Sequence, residues 1–153
     1  MFAGLFIPAF PGAAQSRGGE EFFAGPAAET AVYSAKGGAF GGGLTLGYGY
    51  GPGAMGFRLI YFGDGAGLST LETGIFLRLY LPREGEGLFV QANAGACIFA
   101  LNGNFDHPGA GGMSAGLSAG WRFLLRDRWY VEPYLRAGYP YIVGAGVSAG
   151  FRF

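Results

Sequence analysis

The sequence predicts an all-β fold, a closed antiparallel up-and-down transmembrane β-barrel of eight strands with a lumen filled by side chains. Three observations carry this expectation. Apolar side chains recur at every second position through most of the chain, which is the strand period and would scatter around a helix. Turn-forming residues interrupt that pattern about every ten residues. Every charge inside the alternating segments two to eight falls on the face opposite the apolar one. Composition points the same way: 32 of 153 residues are Gly, aromatics make up 17%, charged residues 13%, and Lys36 is the sole lysine.

Seven separators mark the segments: Lys36-Gly37-Gly38, Gly51-Pro52-Gly53, Asp64 to Gly67, Pro82 to Gly87, Asn102 to Gly112, Arg126-Asp127-Arg128 and Gly138-Tyr139-Pro140. Gly, Pro, Asn and Asp supply the turn conformations that a strand residue resists. The first segment, around residues 22 to 35, alternates poorly. The second shows Phe40, Leu44, Leu46, Tyr48 and Tyr50 on one face, the third Met55, Phe57, Leu59 and Tyr61, the fourth Leu71, Ile75, Leu77, Leu79 and Leu81. The fifth runs from Leu88 through Val90 and three alanines to Ile98, and the sixth from Met113 through Leu117 and Trp121 to Leu125. Trp129, Val131, Leu135 and Ala137 mark the seventh; Val143, Ala145, Val147, Ala149, Phe151 and Phe153 mark the eighth.

Before these segments, residues 1 to 14 form an apolar run ending in small residues, followed by Gln15, Ser16 and Arg17. The run is expected to be the remnant of a secretory signal with a break after Ala14, leaving 15 to 153 as one barrel domain. No basic residue follows Met1, which a start site further upstream would explain. Pro8 and Pro11 speak against a helix or a central strand there.

Alternation alone fits a soluble barrel and a membrane barrel, so the polar face decides. It carries Arg58, Glu72, Arg78, Arg122, Glu132, Arg136 and Arg152, and it is rich in glycine: Gly41, Gly43, Gly47, Gly49, Gly74, Gly95, Gly116, Gly120, Gly144, Gly146 and Gly150. A water-facing wall would carry Lys and Glu freely. Small residues suit instead a narrow lumen, where they make room for the large Phe62, Phe76, Tyr80, Phe99 and Tyr134. The carboxylates are expected to pair with arginines, and five arginines against two glutamates leave a nominal +3 in the lumen. The apolar face then meets lipid. Its aromatics fall where the two interfaces of a bilayer would lie, with Tyr48, Tyr50, Phe57, Trp121, Phe123, Trp129, Phe151 and Phe153 on the side of the termini and Tyr61, Tyr139 and Tyr141 on the other. Leu, Val, Ile and Ala fill the positions between. Closure satisfies every backbone group, which lipid requires.

The last 25 residues, WYVEPYLRAGYPYIVGAGVSAGFRF, resemble the closing hairpin and terminal signal of small eight-stranded bacterial outer-membrane β-barrel proteins. The matching positions are the aromatic final residue Phe153 with Phe151, Val147, Val143 and Tyr141 before it. The resemblance in pattern covers about residues 30 to 153. It implies an integral protein of the bacterial outer membrane, in contact with outer-membrane lipid and inserted by the barrel assembly machinery, which takes up the last strand by strand addition. In that family the outer loops are usually long, whereas here only Asn102 to Gly112 is.

Few residues offer chemistry. His107, with Asp106 beside it and Ser114 seven positions on, invites comparison with outer-membrane lipid hydrolases and acyltransferases, but Ser114 falls on the inward face. One His and one Asp leave a metal site short of ligands, and no cofactor motif is present. The glycine run around Gly41 lacks the lysine and helix of a phosphate loop. Ten basic residues balance ten acidic ones without a basic run, so nucleic-acid binding has no footprint. Cys97 is alone, pointing inward, and no disulfide within the chain is available to it. Half the residues are apolar at zero net charge, which excludes disorder, and the glycines lack the period of collagen. The reading is a monomeric envelope protein with a structural role. Its alternatives are a narrow transport pore, a lipid-modifying enzyme, and a soluble barrel that binds apolar ligands.

Overall fold

A computed structural model describes residues 20–34, 37–101, 105, 110–126 and 128–153. The segment expected to be a signal, and His107 with Asp106, lie outside the described residues. Eight strands follow in chain order: β1 Glu21–Ser34, β2 Gly37–Tyr50, β3 Gly53–Gly63, β4 Leu68–Arg83, β5 Glu86–Leu101, β6 Ala110–Leu125, β7 Trp129–Tyr139 and β8 Val143–Arg152. Each pairs antiparallel with the next, and β8 closes on β1. Several strands run past the turns the sequence suggests: β4 reaches Arg83, β5 begins at Glu86 and β6 takes in Gly111 and Gly112. Ladder bonds outweigh the turn preference of these glycines because closure leaves no free edge.

The first segment, poorly alternating in sequence, is a full strand of 14 residues. Alternation is masked there because both faces carry small residues. Ala27 and Ala31 point inward and are buried, with Phe23 and Glu29 on the same side.

The register fixes the barrel's shape. Following paired neighbours from Phe22 leads through Tyr48, Met55, Leu77, Ala92, Leu117, Ala137 and Val143 back to β1 at Val32. The path returns ten residues further along the strand, so the shear is ten. With strands ~4.8 Å apart and a rise of ~3.3 Å per residue, that shear tilts the strands by roughly 40° and gives a radius of about 8 Å. Such a barrel is just wide enough for its side chains to fill.

On the side of the termini the hairpins are tight. Gly51 and Gly85 take left-handed conformations, φ 56° and 68°, at the β2–β3 and β4–β5 turns. On the opposite side Asp64 organises the β3–β4 turn: Oδ1 accepts from the backbone N–H of Ala66 at 2.7 Å and of Leu68 at 2.9 Å. Those bonds, the Ala66 one foremost, hold the Asp64 carboxyl below its ordinary pKa of 3.8.

Two prolines interrupt the ladders. Gly25 and Pro26 have no partners on β8, and Trp121 and Arg122 have none on β7 beside Pro133. Both gaps fall where a ladder bond would need the proline N–H.

The outer surface is apolar through most of its middle. Leu44, Leu46, Met55, Ile75, Leu77, Leu117, Leu135 and Val147 are all exposed. Every charged residue of the sequence-expected lumen set lies inside. A soluble barrel with an apolar interior has the opposite arrangement, so that alternative is overturned, and the chain is built to cross a membrane. Tyr50, Phe57, Tyr61, Trp121, Phe123, Trp129 and Tyr139 are exposed, and half-buried Tyr48 packs on Phe22 at 5.0 Å between ring centroids. Tyr141 departs from the belt. It precedes β8, is 3% exposed, and turns into the mouth against the Phe62 ring at 4.5 Å. Alternation does not bind it, because the chain leaves the sheet between Tyr139 and Val143.

Candidate functional site

Buried charge converges in the lumen, and glycines determine how it packs. A Cβ on Gly41 would come within 2.5 Å of the Phe62 ring, on Gly47 within 2.1 Å of Phe23, and on Gly150 within 2.4 Å of the Tyr130 hydroxyl. Each inward glycine of this kind is the seat of a ring on a neighbouring strand. Two aromatic layers result. Phe23, Phe76, Tyr80, Phe89 and Tyr130 pack on the side of the termini. Ile60, Phe62 and Tyr141, with Tyr33 beside them, close the other end. Phe99 is only half-buried near that end.

The charges form two networks. Nearer the termini, Glu132 accepts from Arg78 Nη1 at 2.5 Å and from Arg122 Nε. Arg122 also donates to Glu21 at 2.8 Å, and Arg152 to Glu21 at 3.0 Å. Arg78 continues to Gln91 at 2.8 Å and to the Tyr80 hydroxyl at 3.0 Å. In the second network Glu29 joins Arg58, Arg136 at 3.1 Å and the Tyr134 hydroxyl at 2.9 Å, while Arg136 holds both oxygens of Glu72 at 3.0 and 3.1 Å. All seven charged residues expected from the sequence are therefore brought together. Glu21 and Glu29 were missed, and they correct the expected charge: five arginines face four glutamates, a nominal +1 among the described residues instead of +3. Their even spacing in β1, shared with Phe23, Ala27 and Ala31, was the available signal.

Rings also flank the arginines, although Arg122 Nη2 is buried without a hydrogen-bond partner. The Arg78 guanidinium carbon lies 4.1 Å from the Phe89 centroid, and that of Arg122 lies 4.3 Å from Phe23 and 4.4 Å from Tyr130. Cation–π attraction gains where water is excluded, and Arg122 is fully buried.

Space inside is correspondingly small. Two voids of about 10 Å³ lie among the inward side chains, one bordered by Arg58, Arg78, Glu132 and Ser148, the other by Arg58, Glu72, Asn93 and Ser114. Each has room for about one water. A vestibule of about 270 Å³ opens at the terminal side, lined among others by Glu21, Glu84 and Arg152, and ends on Tyr80. Ser114 is buried and inward, away from any lipid-facing rim. Cys97 is buried too, its thiol 3.6 Å from the Gly112 carbonyl oxygen. Among the described residues no group of His, Cys, Asp and Glu is placed to hold a metal.

No protein-family model matches the sequence, and no curated protein matches it either. Solved structures do. The N-terminal β-barrel domain of Pseudomonas aeruginosa OprF is similar over 88% of this chain and 97% of its own, with TM-score 0.62 and 17% identity. Neisserial surface protein A is similar over 87% and 95%, with TM-score 0.64 and 13% identity. A de novo designed barrel, TMB2.3, follows over 90% and 98%, with TM-score 0.51 and 16% identity. At these identities the likeness is one of fold, the closed eight-stranded transmembrane barrel.

Proposed function

We propose that the chain is an integral outer-membrane protein with a structural role in the envelope. The observation that carries this reading is the combination of a lipid-compatible exterior with an interior closed by ion pairs and rings. A barrel with those two properties anchors in a bilayer and seals the hole it makes there. Catalysis finds no support in the placement of Ser114, and bulk transport finds none in a lumen crossed by ion pairs and rings, where the voids beside Arg58 measure about 10 Å³. The proposal includes insertion by the barrel assembly machinery through β8, whose Val143 and Val147 present the outward alternation with Phe151 and Phe153 behind them. It also includes a monomeric state, since closure leaves no strand edge for a partner. Planar-bilayer recording of the purified barrel tests the sealed interior. No discrete conductance steps are expected, and steady unit currents in salt would refute it.

A further inference from the structure

One patch of the outer wall brings together positive charge, aromatic rings and an apolar trough. On the side of the termini, β6 ends through Trp121, Phe123 and Leu125, and β7 begins at Trp129, all of them exposed. Phe151 packs edge-on against Trp129 at 5.2 Å and against Phe153 at 5.1 Å. The turn joining the two strands presents Arg126 and Arg128, both exposed, with Asp127 between them in sequence. None of the ion pairs among the described residues involves either arginine.

Arg126 has φ 53°, the one left-handed non-glycine among the described residues, whereas the other two turns at this end place glycines, Gly51 and Gly85, in that conformation. Glycine would suit that backbone better, so an arginine there runs against local preference. Neighbouring turns lack the charge: in sequence β2–β3 has none, and the β4–β5 segment carries two glutamates, at 84 and 86, for its one arginine, a formal −1. Toward the middle of the barrel the wall opens into a trough of about 670 Å³, floored by Ala92, Ala119 and Ala137 and flanked by Leu117 and Leu135. Ala119 lies seven residues before Arg126 on β6. At ~3.4 Å per residue and a tilt of roughly 40° that is about 18 Å of depth, against about 15 Å for half the hydrocarbon core.

We propose that this surface binds an anionic phospholipid of the leaflet on the terminal side. Its phosphate sits at Arg126 and Arg128, its glycerol region against the tryptophans, and its acyl chain runs along β6 into the alanine trough. The proposal rests on the reading of the chain as a membrane-embedded barrel. A zwitterionic lipid would bring a cationic group to a turn whose own formal charge is +1, so the acidic headgroup is the one that complements it.

The protein carries its own probe, because Trp121 and Trp129 are its two tryptophans. Brominated phosphatidylglycerol and brominated phosphatidylcholine, each at the same small mole fraction in otherwise unlabelled phosphatidylcholine vesicles, should quench their fluorescence unequally. The phosphatidylglycerol preference is expected to fall by about fivefold for each arginine removed, through R126Q and R128Q, to survive in R126K/R128K, and to fade in about 0.5 M salt. Equal quenching by both lipids overturns the site while leaving the embedded barrel intact. Quenching by neither overturns the embedded barrel, and the site with it. Should R126Q/R128Q fail to fold, the salt titration of the unaltered protein decides, and a preference indifferent to salt overturns the proposal.

Discussion

Glu132→Gln removes one buried charge from the lumen, and its cost measures how dry that lumen is. Glu132 is 1% exposed and accepts from both Arg78 and Arg122, whose side chains are 4% and 0% exposed. Arg122 keeps Glu21 at 2.8 Å, but Arg78 is left with neutral partners, Gln91 and the Tyr80 hydroxyl. Breaking a buried pair by removing one partner costs about 3–5 kcal/mol, because the surviving charge has lost its counter-ion in a low-dielectric site. That is a shift of roughly a hundredfold to several thousandfold in the folding equilibrium. Urea titration of the barrel in phospholipid vesicles, followed by the fluorescence of Trp121 and Trp129, reads the shift directly. The rings over Arg78 and the single-water void beside it leave little room for solvent to replace the carboxylate. A loss below about 1 kcal/mol, the size seen for solvated pairs, would refute the reasoning, since it would mean that water reaches the arginines freely.

Other expectations follow from the same architecture. Gly41→Ala should destabilise by about 1–3 kcal/mol through collision with the Phe62 ring, whereas Gly42→Ala, which meets nothing nearer than 3.9 Å, should be neutral or stabilising in the same urea assay. Leu77→Arg places a charge on the lipid face near mid-strand, where Leu77 is 61% exposed, and should cost about 2–4 kcal/mol in vesicles; a neutral result would mean that this face meets water. The Asp64 carboxyl is held below its ordinary pKa of 3.8, so its contribution is full above that value and disappears as pH falls through the lower folded value. Amide exchange at Ala66 and Leu68 should therefore accelerate below about pH 4, and the acceleration should be absent in Asp64→Asn.

Most of the barrel was legible because a lipid-facing wall imposes a strict period of two, and β2 to β8 obey it through bulky outward side chains. The inward arginines were legible for the same reason. Two kinds of residue escaped. Glu21 and Glu29 lie in β1, where alanines on both faces erase the contrast that phases a strand, so the lumen looked more positive than it is. Tyr141 continues the β8 alternation in sequence but lies before Val143, outside the sheet, where that alternation no longer fixes its direction. What fills a mouth depends on tertiary packing against Phe62 and Ile60, which no local period encodes. The pairing of inward glycines with rings was visible as a size alternation, but which glycine seats which ring depends on the shear, a property of closure rather than of any single strand.

The central claim is that this chain lives as a closed barrel inside an outer membrane. Expression behind an export signal in a Gram-negative host, followed by separation of soluble, inner-membrane and outer-membrane fractions, tests it most directly. The protein is predicted in the outer-membrane fraction, released only by detergent, and migrating differently on gels before and after boiling. Recovery in the soluble pool, with mobility indifferent to heat, would contradict it.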